Sequence, residues 1–293
     1  MRPKVALLVL CVVVSALSLP LSAATAADHI AAGRAALERD EHEKAIDLFS
    51  KAVAAQPKSA EAHYLLGAAY GELAQKANIL KQASLAKKTK AEFERAVQLD
   101  PGYFEAHMGL INYYLIAPGF MGGGADKALA QAAAVRRGNA MDGHRAYARI
   151  YMHQKKPDLA RKEYVDLVRE NPTSARAHYL LGGFLMNEKN WDGSMHEYEM
   201  ALKLDAAYMP TYVRIGQHAG RSGTNYPRGE EALRKYLTYK PADNEPSVAA
   251  AWYWLGQLQE KQGRKADARQ SYLNAQKLAP NDTDIKEALS KVQ

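Results

Sequence analysis

The sequence predicts an all-α solenoid, a row of stacked antiparallel helix pairs. Three observations carry that prediction: the 293-residue chain repeats itself at a fixed interval, its apolar residues recur at helical spacing, and prolines punctuate the intervals at matching positions. With 47% hydrophobic and 24% charged residues, the composition excludes a disordered or collagen-like chain. A mean hydropathy of −0.39 leaves room for at most one membrane segment. Two domains are usual at this length, but repeat proteins grow in one dimension and escape that rule. The single cysteine, Cys11, excludes a disulfide framework and a Cys-based zinc site.

The first element is an address. Residues 1–26 begin with Arg2 and Lys4, continue through a mostly apolar run from Val5 to Leu19, and reach Pro20 and then Ala24-Thr25-Ala26. That order is the pattern of a secretory signal peptide cleaved near Ala26, with Ala27 as the competing site. The rival reading is an uncleaved membrane anchor, since the apolar run comes close to spanning a bilayer. No small residue stands just before Cys11, so a lipoprotein signal is not expected. Removing Arg2 and Lys4, with no Asp or Glu in that segment, takes the formal charge from +7 to +5. So mild an excess does not call for nucleic acid. The compartment expected is the bacterial periplasm or the secreted space.

Self-comparison organises the remainder. Ala-His-Tyr-Leu-Leu-Gly occurs at 62–67 and again at 177–182, and Gly33 to Gly67 is 34 residues. Gly33, Ala45, Phe49, Ala52 and Pro57 recur at identical spacing as Gly256, Ala268, Tyr272, Ala275 and Pro280. Ala148, Ala160, Tyr164, Leu167 and Pro172 fit the same ruler. Small residues such as Gly67 and Ala96 permit two helices to approach closely, while Leu66, Tyr70 and Phe93 fill the space around them. Pro57, Pro101, Pro172 and Pro241 stop the second helix of a pair. Each pair leaves an apolar face that only its neighbour can cover.

These slots resemble the tetratricopeptide repeat, whose pattern opens W-x2-L-G-x2-Y and continues A-x3-F and P. Trp252, Leu255 and Gly256 match its opening outright. The resemblance implies a right-handed α-solenoid of about seven helix pairs spanning 27–293. Units are expected near 26–59, 60–103, 104–140, 141–174, 175–208, 209–248 and 249–282. Residues 283–293, with Ile285, Ala288 and Leu289 at helical spacing, form a capping helix. Asn281-Asp282-Thr283 fits a glycosylation sequon, and here it reads as the cap of that last helix. A row of this kind is expected to be a curved rod.

Three units outrun the ruler. In the second, Gly67 to Pro101 is 34 residues against 24 from Gly33 to Pro57. The additions fall near Gln75 to Lys88, where no Gly or Pro interrupts, so extended helices are expected with Leu73, Ala77, Leu80 and Ser84 on one face. Lys76, Lys81, Lys87, Lys88 and Lys90 make this protrusion basic, either as a solvated face or as a contact with a membrane or acidic surface. The third unit gains residues in Ala117-Pro118-Gly119-Phe120-Met121-Gly122-Gly123-Gly124. Glycines before a helix start can offer amides to an anion, but no Lys-Ser/Thr follows to make a nucleotide loop. Phe120 and Met121 are expected to pack back on the solenoid. The sixth unit gains a turn-rich connector, Arg221 to Gly229. Together with Gly216 to Gly223 and the basic extension, these departures resemble a group of secreted bacterial tetratricopeptide proteins of unassigned activity.

Chemistry-bearing residues point to binding. His29, His63, His107, His144 and His178 share one slot, which Tyr212 and Trp252 fill in the last units. Packed helices lie roughly 10 Å apart, too far for equivalent imidazoles to share a zinc ion, so the column reads as structural. There is no H-E-x-x-H, no G-x-S-x-G and no phosphate loop, and no catalytic residue, cofactor or metal is expected. The resemblance places the residues after the His and Gly slots on the concave side. They are Ile30, Arg34, Tyr64, Ala68, Met108, Asn112, Arg145, Arg149, Tyr179, Gly183, Val213, Gln217, Tyr253 and Gln257. Chaperone-binding relatives hold a terminal carboxylate with Lys and Asn there; only Asn112 agrees, so that clamp does not carry over. The candidate groove is Tyr64, Met108, Asn112, Arg145, Arg149, Arg176, Tyr179 and Tyr253, the tyrosines as anchors and the arginines as carboxylate holders. The expected function is a non-enzymatic periplasmic protein-interaction scaffold that holds a peptide or partner helix. The alternatives are a solute-binding or transporter-accessory protein, or an envelope polysaccharide or assembly factor.

Overall fold

A computed structural model describes residues 25–242 and 244–292. The expected leader therefore lies, apart from Thr25 and Ala26, outside the described residues. Within them are fifteen α-helices, one short 3-10 turn and no strand. Seven antiparallel pairs follow one another: α1 (Ala26–Glu38) with α2 (His42–Ala55), α3 (Ala60–Lys76) with α4 (Ile79–Leu99), α5 (Phe104–Ile116) with α6 (Ala125–Gly138), α7 (Ala140–His153) with α8 (Pro157–Glu170), α9 (Ala175–Asn187) with α10 (Trp191–Leu204), α11 (Pro210–Ser222) with α12 (Tyr226–Tyr236), and α13 (Val248–Lys261) with α14 (Lys265–Leu278). The single helix α15 (Thr283–Lys291) closes the row; its Ala288 and the following Val292 pack against Ala268 and Tyr272 of α14, and Ile285 is buried as well.

Local chemistry sets where these helices begin and turn. Ser59, Ser174 and Ser247 each accept a hydrogen bond from the amide three residues on, filling one of the orphan donors of a helix start. Asn78, Asn139 and Asn190 do the same. Asp282 accepts from the Asp284 and Ile285 amides at 2.9 and 3.1 Å, so this segment is indeed the cap of α15. Between the two helices of four pairs the chain reverses through one left-handed residue, Asp40, Lys155, Lys189 or Gly263, with φ of 61°, 57°, 60° and 77°. Only the last of these is glycine, the residue that takes that conformation at least cost.

The two helices of each pair meet at the Gly slot, and there the fit leaves no room. A Cβ on Gly182 would stand 2.7 Å from the Tyr198 ring, and one on Gly256 would stand 2.5 Å from Tyr272. Gly33 faces Phe49 and Gly67 faces Phe93 in the same way. The third and fourth pairs solve the same problem with different residues. Where the slot holds Ile111, its partner on the second helix is Ala132, and both are buried in one cluster. Where it holds Ala148, the partner is Tyr164, in one cluster with it. Bulk moves from one helix to the other while the volume between them is kept.

Along the row, the first helices also touch: α1 with α3, α3 with α5, α5 with α7, α9 with α11, and α11 with α13. They line the inner side of a coil that turns further than a curved rod does. Leu37, Glu38 and Asp40 at the end of α1 line the same cleft as Asn281, Asp282, Thr283 and Asp284 ahead of α15.

Volume exchange at the third pair makes a checkable statement. Ile111→Ala is expected to lose about 2–4 kcal/mol through the cavity it leaves, and Ala132→Tyr about 1–3 kcal/mol through overpacking. Combined, they reproduce the Ala148–Tyr164 pairing and should recover a large part of both losses. Urea unfolding of the three variants measures this; additive destabilisation would contradict the exchange.

Candidate functional site

Two of the three departures from the repeat length, those of the second and third units, converge on one pocket. α3 and α4 are 17 and 21 residues long, and the chain breaks between them at Ala77, whose backbone is extended at φ −85° and ψ 156°. The expectation of extended helices holds. That of a shared face for Leu73, Ala77, Leu80 and Ser84 does not, because the break lets α4 restart in its own phase. Leu73 and Leu85 are buried, whereas Ile79 and Leu80 are 80% and 84% exposed and Ser84 faces solvent.

The α5–α6 connection is equally defined. It forms a 3-10 turn, Gly119–Met121, tied to its flanking helices at three points. The Tyr113 hydroxyl donates to the Met121 carbonyl at 2.8 Å, the Gly124 amide to the Tyr114 carbonyl at 2.8 Å, and Lys127 Nζ to the Gly122 carbonyl at 2.8 Å. Each of the three glycines is required: Gly122 and Gly124 have φ of 89° and 156°, and a Cβ on Gly123 would overlap the carbonyl oxygen of Ala117. Phe120 does not tuck back as expected; it stands 91% exposed at the tip, with Met121 half-buried beneath it. The turn is too short, and too tightly tied, to fold its own apex inward.

Between α3, the first half of α4, α5 and this turn lies an open cavity of about 970 Å³, at the upper end of the range for small-ligand sites. Small residues make its walls, among them Ala68, Gly71, Ala83, Ala86 and Gly109. Phe93 closes the interior, nested so tightly that a Cβ on Gly67 or Gly109 would come within 2.9 or 2.6 Å of its ring. Ile79, Ile116 (73% exposed) and Phe120 stand at the mouth. Its polar side chains are Glu72, Gln75, Gln82, Thr89, Glu105, Asn112 and Arg145, with the tyrosines Tyr64 and Tyr113.

Of the candidate groove residues, the structure brings Tyr64, Met108, Asn112 and Arg145 together in this pocket. Tyr64 stacks on Phe93 with ring centroids 5.7 Å apart and meets Tyr103 at 5.5 Å. Burial pushes its phenol upward, and pushes that of Tyr103 up to about 12, with the Glu105 carboxylate adding to both. Both hydroxyls therefore stay neutral donors at ordinary pH. Arg149 joins through Asn112, to which its Nε donates at 2.9 Å. Arg145 lies over the Phe104 ring at 4.4 Å and shares Asp142 with Arg176, at 3.0 and 2.8 Å. Tyr179 sits further along the row, edge-on to Tyr208 at 5.4 Å. Tyr253 is at the far end against Tyr272. Val213, placed on the inner side by resemblance, is fully buried, and Arg214 beside it is half-buried against Tyr179 and Gln217. Sequence reading missed Ile79, Ile116 and Phe120. Their signal was present in isolated large apolar residues among Gly and Pro or beside a helix break.

The histidine column is a bracket repeated along the row. In His63, His107 and His178, Nδ1 lies 2.6–2.7 Å from Glu92, Gln131 or Glu197 of the second helix, and Nε2 lies 3.0–3.2 Å from the carbonyl of Pro57, Pro101 or Pro172. His144 spans Glu163 and Glu170 instead. Tyr212 keeps the same bridge in the sixth pair, donating to the Ala206 carbonyl at 3.0 Å. The rings of His63, His107 and His178 fasten their helices both to the preceding turn and to the partner helix, whereas His144 holds only the partner helix and Tyr212 only the preceding turn. Of the basic extension, Lys76 pairs with Asp40, Lys81 with Glu43 and Lys90 with Glu94. Lys88 lies 5.1 Å from the Tyr70 ring centre.

A family model described as Tetratricopeptide repeat matches residues 122–174, 154–208 and 214–283, and a second, TPR repeat, matches 33–73. The chain belongs to the tetratricopeptide repeat family. Comparison with curated proteins gives no match. Among solved structures, the chain is similar to the human IFIT1 dimer with PPP-AAAA, at 17% identity over 92% of this chain and 63% of that one, with a TM-score of 0.53. It is also similar to the Cut9–Hcn1 hetero-tetramer of APC/C, at 14% over 92% and 52%, with a TM-score of 0.50. A tetratricopeptide repeat protein from Parabacteroides merdae matches at 16% over 91% and 98%, with a TM-score of 0.49. This chain spans about half to two thirds of the IFIT1 and Cut9 chains, and such identities show the fold alone.

Two substitutions test the built character of these features. Gly123→Ala should loosen the turn and lower stability by about 1–3 kcal/mol, with faster amide exchange over 117–124 than elsewhere. His178→Ala should cost about 1–3 kcal/mol by leaving Glu197 unpaired, while His178→Tyr, imitating Tyr212, should cost less. Equal losses for the two would remove the bracket as the explanation.

Proposed function

We propose that this protein is a non-enzymatic interaction scaffold that, once its leader is removed, works in the periplasm and holds an apolar segment of a partner protein in the pocket between α3, α4 and α5. One observation carries the reading: two of the three places where the chain outruns its repeat length, the long α3–α4 pair and the α5–α6 turn, line the same cavity. Extra residues that merely filled loops would have no reason to meet. The turn spends three glycines and three ties on displaying Phe120, and large apolar side chains held in water mark contact sites. The repeat family supports protein binding as the general role.

The open mouth and exposed rim favour a macromolecular segment over a sheltered solute, since small-molecule sites bury most of their ligand. Surface contact through the basic extension has weaker support, because Lys76, Lys81 and Lys90 already face carboxylates.

Affinity capture from periplasmic extract with the exported chain, compared with Phe120→Ser and Ile116→Ser, tests the site. Both residues are exposed, so folding should be unchanged while captured partner falls by about thirtyfold, the cost of losing a central anchor. Unchanged capture would overturn the pocket assignment. N-terminal sequencing of the exported protein should begin at Ala27, a chain still carrying Met1 would overturn removal of the leader, and recovery of the chain in the cytoplasmic fraction alone would overturn the compartment.

A further inference from the structure

The pocket uses one end of the inner face; the other end is differently made. In an α-helix, residues two before and one, two, five and nine after a given position share one stripe. Counted from His144, His178 and Tyr212, that stripe holds Arg145 and Arg149 with the single acid Asp142 on α7, Arg176 on α9, and Arg214 and Arg221 on α11. The equivalent stripe on α3 and α5 holds Glu61, Glu72 and Glu105. The inner face is therefore polarised, acidic where the pocket opens and basic beyond it.

Little of the basic half is neutralised. Asp142 is shared by Arg145 and Arg176. Arg149 donates to Asn112, Arg214 to the Tyr179 hydroxyl at 3.3 Å and to Gln217 at 2.9 Å, and Arg221 lies 5.9 Å from the Trp254 ring centre. Among the described residues, none of these last three has a carboxylate within ion-pair distance. Guanidinium groups braced by aromatic rings and neutral acceptors are pre-set for incoming carboxylates, which they bind through paired N–H donors.

Resting on the pocket reading, we infer that the partner is an acidic segment with an apolar anchor, the anchor seated in the pocket and the acidic stretch laid along α7, α9 and α11. Glu72 and Glu105 repel carboxylates from the pocket, so only one direction of the bound segment matches both halves.

The test uses the exported full chain and three fluorescent synthetic peptides: Leu-Phe-Leu followed by a run of Glu, the same anchor followed by Gln, and the Glu run alone. Fluorescence anisotropy should show the anchored Glu peptide binding at least about tenfold more tightly than the anchored Gln peptide at low salt, with the gap closing as salt rises. The exposed pair Arg149→Gln with Arg221→Gln, its melting temperature unchanged, should erase that gap and leave the Gln peptide's affinity alone. Phe120→Ser should weaken both anchored peptides. Equal affinities for Glu and Gln peptides would overturn the acidic assignment and leave the pocket reading standing. Failure of both anchored peptides, or indifference to Phe120→Ser, would overturn the pocket reading and this inference together. So would a self-associated chain in sedimentation that Phe120→Ser renders monomeric, since the occupant would then be a second copy.

Discussion

The structure depends on a clearance of nearly zero between the two helices of each pair. An aromatic or branched side chain on the second helix presses into a position on the first that is too shallow for it unless the residue there is small. Dispersion and hydrophobic burial reward that approach only while the volumes match, so the slot is conserved as a sum rather than as a residue. Gly182 with Tyr198 and Ile111 with Ala132 are two partitions of the same space. From this approach follow the antiparallel pairs and the exposed apolar flanks that make them stack. The inner face, where the first helices touch, follows in turn.

This dependence explains which features were legible in the sequence. Pairing, stacking and capping arise from residues a few positions apart, and Gly33, Phe49, Pro57 and Asp282 announce them directly. The second pair's extra length was legible as helix because nothing breaks it, yet its facing was not: Asn78 starts a new helix, and a phase reset of that kind leaves no periodic trace. Phe120 was read as packed because apolar residues usually are; that it stands out follows from backbone ties involving Tyr113 and Gly124, which residue type does not reveal. The pocket itself belongs to no single unit. Two insertions some forty residues apart meet only once α3, α4 and α5 are placed side by side, and no local pattern encodes that meeting.

Among the proposed groove residues, the tyrosines divide their work. Tyr64 lines a cavity and braces Phe93 at once, and Tyr179 receives Arg214 while packing on Tyr208. Bracing and binding are not rivals here, since a ring held on one face by its neighbours is already ordered when something arrives at the other, and little entropy remains to be lost. The histidine brackets extend this economy to the frame. By tying α3, α5 and α9 to the turns before them, His63, His107 and His178 keep the inner side chains of those helices at fixed spacing along the row.

The cleft shared by the end of the first helix and the residues ahead of α15 brings the two ends of the described row face to face. Helical repeats are usually thought of as open-ended, each new module docking on the last. In this chain the final module has come round to face the first, with Glu38 and Asp40 on one bank and Asp282 and Asp284 on the other. The row of modules thus closes toward a bracelet, and the carboxylates lining its gap make the meeting of its two ends responsive to cations and to salt.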